Sequence, residues 1–249
     1  MRLKLISCQV FCREAEAVIA RSSNKVEVEF LSKGLHEIGC IEMRQRLQAA
    51  VDGAENGGYE ALLLGYGLCN HGIAGLCARS IPMVVPRAHD CITILLGSKE
   101  RYLDYFQQHP GTYFKSSGWI EHSQNPDELK QLSIATRGGL NATLDELIAK
   151  YGEENGRYLY QELVEHTRHY RQFTFIEMGV EPDNRFERQT QDEAQQRGWK
   201  YEKVRGDLTL FQRLVDGIWE PWEFLVVPPG QQIAAAFDEN IVTTQETTS

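Results

Sequence analysis

The chain has 249 residues, 26 Lys and Arg against 35 Asp and Glu, a formal net charge of -9 and six cysteines. That size suits one large α/β domain or two modest lobes, and the acidic balance argues against a general nucleic-acid or anionic-membrane surface, which rewards clustered Lys and Arg. No apolar run approaches the roughly 20 residues that span a bilayer, and Met1-Arg2-Leu3-Lys4 enters a strand pattern instead of a secretory h-region, so a cytoplasmic protein with reduced thiols and a small-molecule partner is expected.

Strands are expected over residues 2–7, 26–31, 61–65 and 81–85, with helices over 13–21, 41–55, a short one after Gly72 and one over 91–107. This alternation is the pattern of βαβ units and a parallel sheet. Residues 110–121 mix Gly, aromatic and hydroxyl side chains with neither period and read as an irregular crossing that could wall a pocket. Between 125 and 171 the pattern turns helical, with Gly138-Gly139 as a break and Leu144, Leu147, Ile148 and Tyr151 at helical spacing. A second βαβ pattern follows, with strands over 173–178, 201–204 and 223–227 and helices over 184–197 and 208–216. The expected fold class is α/β. Two Rossmann-like parallel-sheet lobes, 1–121 and 173–242, flank an inserted helical segment at 122–172 and an interlobe cleft, and a flexible tail occupies 243–249.

Reactive residue types gather where the first lobe's strands end. Cys8 closes the first strand, Cys69 follows the third, and His89-Asp90-Cys91 follows the fourth. In an open parallel sheet these carboxyl ends lie side by side, on the edge where ligands bind. Zinc favours such N and S donors, so Cys8, Cys69, His89 and Cys91 form a candidate metal set; three ligands leave a position open for water or substrate, and four close it. Cys91 at a helix start, with Arg87 near, is expected to have a lowered pKa. That makes Cys69 and Cys91 candidate catalytic thiols, with Asp90 either orienting His89 or capping the helix. Taken singly, Cys8 and Cys69 read as small packed hydrophobes.

Gly65, Gly67 and Gly72 sit in a glycine-rich loop directly after a strand, where backbone N–H groups could approach an anion or flat cofactor, although tight-turn geometry explains them equally and no P-loop or dinucleotide spacing is present. Asp207 after Gly206 is a helix N-cap or a cofactor contact. His71 is a candidate acid or base beside Cys69. Cys12, Cys40 and Cys77 read as packing residues, His166 and His169 as a solvated helix face, and Tyr113, Trp119 and Trp219 as pocket wall or core.

The segments Leu64-Gly65-Tyr66-Gly67-Leu68-Cys69-Asn70, Arg87-Ala88-His89-Asp90-Cys91-Ile92-Thr93-Ile94-Leu95-Leu96-Gly97-Ser98, Pro110-Gly111-Thr112-Tyr113 with Gly118-Trp119, and Phe224-Leu225-Val226-Val227-Pro228-Pro229-Gly230 resemble the bacterial and archaeal family known as domain of unknown function 1638. Members occur with corrinoid proteins and methylamine-type methyltransferases, so the resemblance implies a place near one-carbon metabolism, with a corrinoid protein or methyltransferase as partner. That context suits a zinc-thiolate protein that handles a methyl group or a related small substrate. Two rivals stand beside it: a metal-independent racemase or lyase using a cysteine thiolate pair, suggested by Cys69-Asn70 at a strand end, and a non-catalytic protein that binds or delivers a metal or corrinoid.

Overall fold

The computed structural model describes residues 1–69, 71–123, 129, 144–165 and 170–247. Its larger sheet begins with β1 (Arg2–Cys8), β2 (Lys25–Leu31), β3 (Ala61–Gly65) and β4 (Met83–Pro86). Strand order is β2-β1-β3-β4, all parallel, and a fifth strand pairs antiparallel with β4. Every residue of β3 and six of the seven in β1 are buried, as expected of central parallel strands covered on both faces. Helices α1 (Cys12–Ile19) and α2 (Cys40–Ala54) make the crossovers.

The expected helix over 91–107 is two: α3 (Cys91–Leu96) and α4 (Lys99–Gln108). Gly97 takes φ 85° and stops the first, and Ser98 caps the second by accepting from Arg101 N. Residues 110–121 are regular, contrary to the expected irregular crossing. They form β5 (Thr112–Ser116) and α5 (Ser117–Glu121), and β5 belongs to a second parallel sheet, β5-β6-β7, with β6 (Gln172–Glu177) and β7 (Lys200–Arg205). The described part of the 122–172 segment includes α6 (Leu144–Tyr151) and α7 (Glu153–Glu165). Gly138, Gly139, His166 and His169 lie outside the described residues.

The two lobes are not consecutive in sequence. After α8 (Arg185–Arg197) and β7, α9 (Thr209–Asp216) returns to pack on β3 and β4, and β8 (Phe224–Val227) completes the larger sheet. A short apolar run between prolines does not encode which sheet it joins; pairing here covers the otherwise open edge of β4. The expected flexible tail is also ordered over most of its length, because β10 (Val242–Glu246) pairs with β9 (Gln231–Ala235) as a hairpin. Among the described residues no helix is long and apolar enough to cross a membrane.

Polar contacts hold α4 to the smaller sheet. Tyr105 Oη donates to Glu202 Oε2 at 2.9 Å, lies 2.7 Å from Thr174 Oγ1 and accepts from Gln172 Nε2 at 3.1 Å, while its ring stacks on His109 with centroids 4.4 Å apart. Removing this hydroxyl leaves three partners short of one bond. Tyr105→Phe is expected to lower unfolding stability by about 1–2 kcal/mol with an unchanged denaturant m-value, read from urea unfolding; an unchanged midpoint would show the network to be energetically idle.

Candidate functional site

In the order β2-β1-β3-β4, chain connections diverge between β1 and β3, and the crevice beyond their carboxyl ends is the topological switch point. Cys8 is the last residue of β1, Cys69 lies in the loop after β3, and Cys91 opens α3 after β4. The two loops are joined by backbone bonds, Leu68 N to Ala88 O at 2.8 Å and Cys69 N to His89 O at 2.9 Å. Gly67 permits that approach, since a Cβ there would stand 2.7 Å from Asp90 N and 2.9 Å from Ala88 O. Cys69 and His71 hold left-handed backbone at φ 47° and 67°, a conformation that costs a non-glycine residue of order 1 kcal/mol and concentrates at functional sites.

The three thiols share one electrostatic environment. Burial pushes the Cys8 thiol up to about 12, with the nearby Cys12 adding to the shift and a backbone bond at Val10 opposing it. Burial also pushes Cys69 up, assisted by Asp90 and Cys8 and opposed by backbone bonds at Gly67 and Cys91. Cys91 rises through burial, then through Asp90, Cys69 and Cys8. The expected fall at Cys91 is therefore reversed: desolvation outweighs the helix terminus. Arg87 does not offset it, because its guanidinium donates to the carbonyls of Pro221, Asn240 and Val242 and ties chain segments together away from the thiols.

His36, a residue the sequence pattern did not single out, stands beside the first of these sulfurs, Cys8. Its Nε2 lies 3.3 Å from Cys8 Sγ, and with the thiol protonated the S–H donates to the ring. Burial, then the charge of Lys33, lowers its pKa to about 4. Lys33 itself lies over the Trp119 ring, 4.5 Å from its centroid. The signal for His36 was topological: it follows β2 by a few residues, on the same sheet edge as the cysteines. Tyr66, on the loop leaving β3, completes this buried ground with a hydroxyl that has no partner among the described residues.

Above the thiols opens a cleft of about 910 Å³, within the range of small-molecule sites. Cys69, Cys91, His36 and His89 line one side; Tyr113, Trp119 and other aromatics from the β5–α5 region line the other. Cys8 is 1% exposed and lies beneath this surface. His89 is exposed, with its ring near Tyr102 at 6.3 Å between centroids. Asp90 caps α3, its Oδ1 accepting from Ile92 N and Thr93 N at 3.0 and 3.1 Å, while Tyr102 Oη donates to Oδ2 at 3.4 Å. His71 lines the cleft, and Asn70 lies outside the described residues. The expected helix after Gly72 is a run of turns.

Other candidates sit elsewhere. Gly65 and Gly72 serve close packing, a Cβ meeting Ser7 Oγ at 2.3 Å and Met43 Sδ at 2.3 Å respectively, and neither lines the cleft. Asp207 is also outside it and binds Thr209 N at 2.8 Å at the start of α9. Trp219 donates to Leu214 O at 2.9 Å and packs on the core. Cys40 is exposed, and Cys77 Sγ faces Gly75 O at 3.6 Å. As the side chains stand, no three His, Cys, Asp or Glu among the described residues are grouped to hold a metal ion.

The buried titratable groups impose opposing pH dependences. His36 is depressed to about 4, so below its ordinary value of 6.5 the unfolded chain takes up its proton first, and stability is lost as pH falls from 6.5 toward 4. Glu14 on α1 has both oxygens buried without partners among the described residues and rises to about 7, chiefly by burial and then through Glu181. Its contribution is complete below the ordinary 4.5 and is lost as pH rises toward 7. Each effect is about 3 kcal/mol, so within 4.5–6.5 they nearly cancel. Glu14→Gln is expected to leave stability rising with pH across that window and His36→Gln to leave it falling, as read from urea unfolding at each pH. Parallel slopes in the two variants would contradict these environments.

Comparison with curated proteins and with solved structures returns no match. The model of one family, described as "Protein of unknown function (DUF1638)", matches residues 30–215, a span that takes in Cys69, His89, Cys91, His36 and both cleft walls. On that match, which covers well over half of the sequence, the chain belongs to the DUF1638 family.

Proposed function

We propose that the protein is a metal-thiolate protein in which Cys8, Cys69 and Cys91, with His36 as the adjacent imidazole, take one thiophilic ion, zinc by the preference of this donor set. The observation that carries the reading is the convergence on one sheet edge of three thiols, of which Cys8 acts on both others and Cys69 on Cys91, with a neutral histidine beside Cys8. Buried thiols keep their protons unless a positive charge arrives to stabilise the thiolates. Because no ligating group of three is assembled among the described residues as the side chains stand, binding must draw the sulfurs together, and the strained Cys69 loop is where that adjustment falls. His36 contributes a lone pair without charge across neutral pH. His89, exposed at the cleft mouth, is left to face the substrate.

When bound, such an ion would supply Lewis acidity, and with four protein ligands a small substrate would reach it by displacing one of them. We assign that substrate to methyl or other one-carbon chemistry, with a corrinoid protein or methyltransferase as the partner. The chain's own residues then enclose it: the aromatic wall excludes water, and Asp90 fixes the start of α3 and with it Cys91. A metal-free racemase is less well supported, since it needs acid and base thiols on opposite faces of its substrate. Here Cys69 and Cys91 share one edge, and the facing wall carries no cysteine.

Metal content tests the reading. Protein purified without a metal-binding tag is expected to carry about one equivalent of zinc, and Cys8→Ser, Cys69→Ser and Cys91→Ser to lose it while remaining folded by circular dichroism. His89→Ala retains it. With three thiols protonated throughout the neutral range, apparent affinity should climb with pH by up to about 1,000-fold per unit. Full retention of metal in all three serine variants would exclude these ligands, and inactivation by alkylation in a chelator-insensitive protein would favour the metal-free reading.

A further inference from the structure

We propose a second ligand site, for a small phosphate-bearing anion, at the carboxyl edge of the smaller sheet. The loops leaving β6 and β7, Met178-Gly179-Val180 and Gly206-Asp207-Leu208, enclose with Arg21, Arg101 and Arg205 a pocket of about 490 Å³. None of these residues lines the thiol cleft. The site occupies the same place on β5-β6-β7 that the thiols occupy on the larger sheet, the edge at which parallel sheets receive ligands.

Its charge is what marks it. In a chain of net charge -9, three guanidiniums from α1's end, α4 and β7 meet around one pocket. Arg101 is fixed as a buttress, Nη1 donating to Leu96 O at 3.1 Å and Nη2 to Arg205 O. The guanidiniums of Arg21 and Arg205 have no hydrogen-bond or ion-pair partner among the described residues, whereas Arg13, Arg79, Arg197 and Arg213 are each matched to a carboxylate. Asp207 is the one carboxylate in the pocket, and its Oδ1 is engaged by Thr209 N and Oγ1 at 2.8 and 2.5 Å. It offsets one of three positive charges, while Glu181 beside the pocket accepts from Met178 N and Gly179 N at 2.7 and 2.8 Å and leaves the arginines as the ligand's donors. Two unmatched planar forks beside a fixed third suit the several acceptor oxygens of a phosphate or diphosphate group better than a single carboxylate.

Titration calorimetry on the full chain with inorganic pyrophosphate at low ionic strength tests the site. Saturable binding of about one equivalent is expected, weakened at least about 10-fold (about 1.4 kcal/mol) by Arg21→Gln and by Arg205→Gln. Both side chains are exposed, so the variants should fold, which their melting curves check. Arg185→Gln, at a guanidinium already facing Asp183, should leave affinity unchanged. Absence of saturable binding, unchanged affinity in the Arg21→Gln/Arg205→Gln double variant, or equally tight binding of citrate would overturn the proposal.

Discussion

Three sulfur atoms gather at one sheet edge, and the one positive charge that lowers any of them, Lys33 at Cys8, does not offset their loss of hydration. Desolvation is the largest cause of the raised pKa at Cys8, Cys69 and Cys91; Cys8 further raises Cys69, and both raise Cys91. A hydrophobic core gains little by gathering thiols in preference to leucines, and it does not require a histidine beside one of them. The parallel register explains how they arrive together: β1, β3 and β4 run alongside one another, so residues just past their carboxyl ends share one edge. Backbone bonds between the Cys69 and His89 loops then fix the spacing.

The remainder of the molecule supports that edge. Strand β8 and helix α9, late in the chain, close the larger sheet beside and across β4, and the Tyr105 network keeps the smaller sheet against α4. The aromatic wall opposite the thiols is therefore positioned by a different sheet from the one that carries them. Such an interlobe cleft admits a ligand between two separately built surfaces. Glu14 and His36 add buried ionisable groups with opposite preferences, so the fold's tolerance of mild acid reflects a balance between them.

Much of this was legible in the residues. Strong apolar runs such as Leu3-Lys4-Leu5-Ile6 and Ala61-Leu62-Leu63-Leu64 announced parallel strands, and the cysteines after them marked the edge. Three things were not legible, each because pairing partners are non-local. Strand β5 lay hidden among Gly and Ser residues although Thr112, Tyr113 and Phe114 favour strands. The return of β8 to the first sheet depends on an open edge far away in sequence. The thiol pKa values depended on burial, which overrode the local cue of a helix start at Cys91. His36 escaped because a single histidine after a strand carries meaning only once that strand is known to lie beside β1.

X-ray absorption at the zinc edge of the loaded protein asks the central question most directly, because it counts the atoms around the ion. Three sulfur neighbours at about 2.3 Å and one nitrogen at about 2.0 Å are expected. A shell of oxygen and nitrogen without sulfur would contradict a site built on Cys8, Cys69 and Cys91.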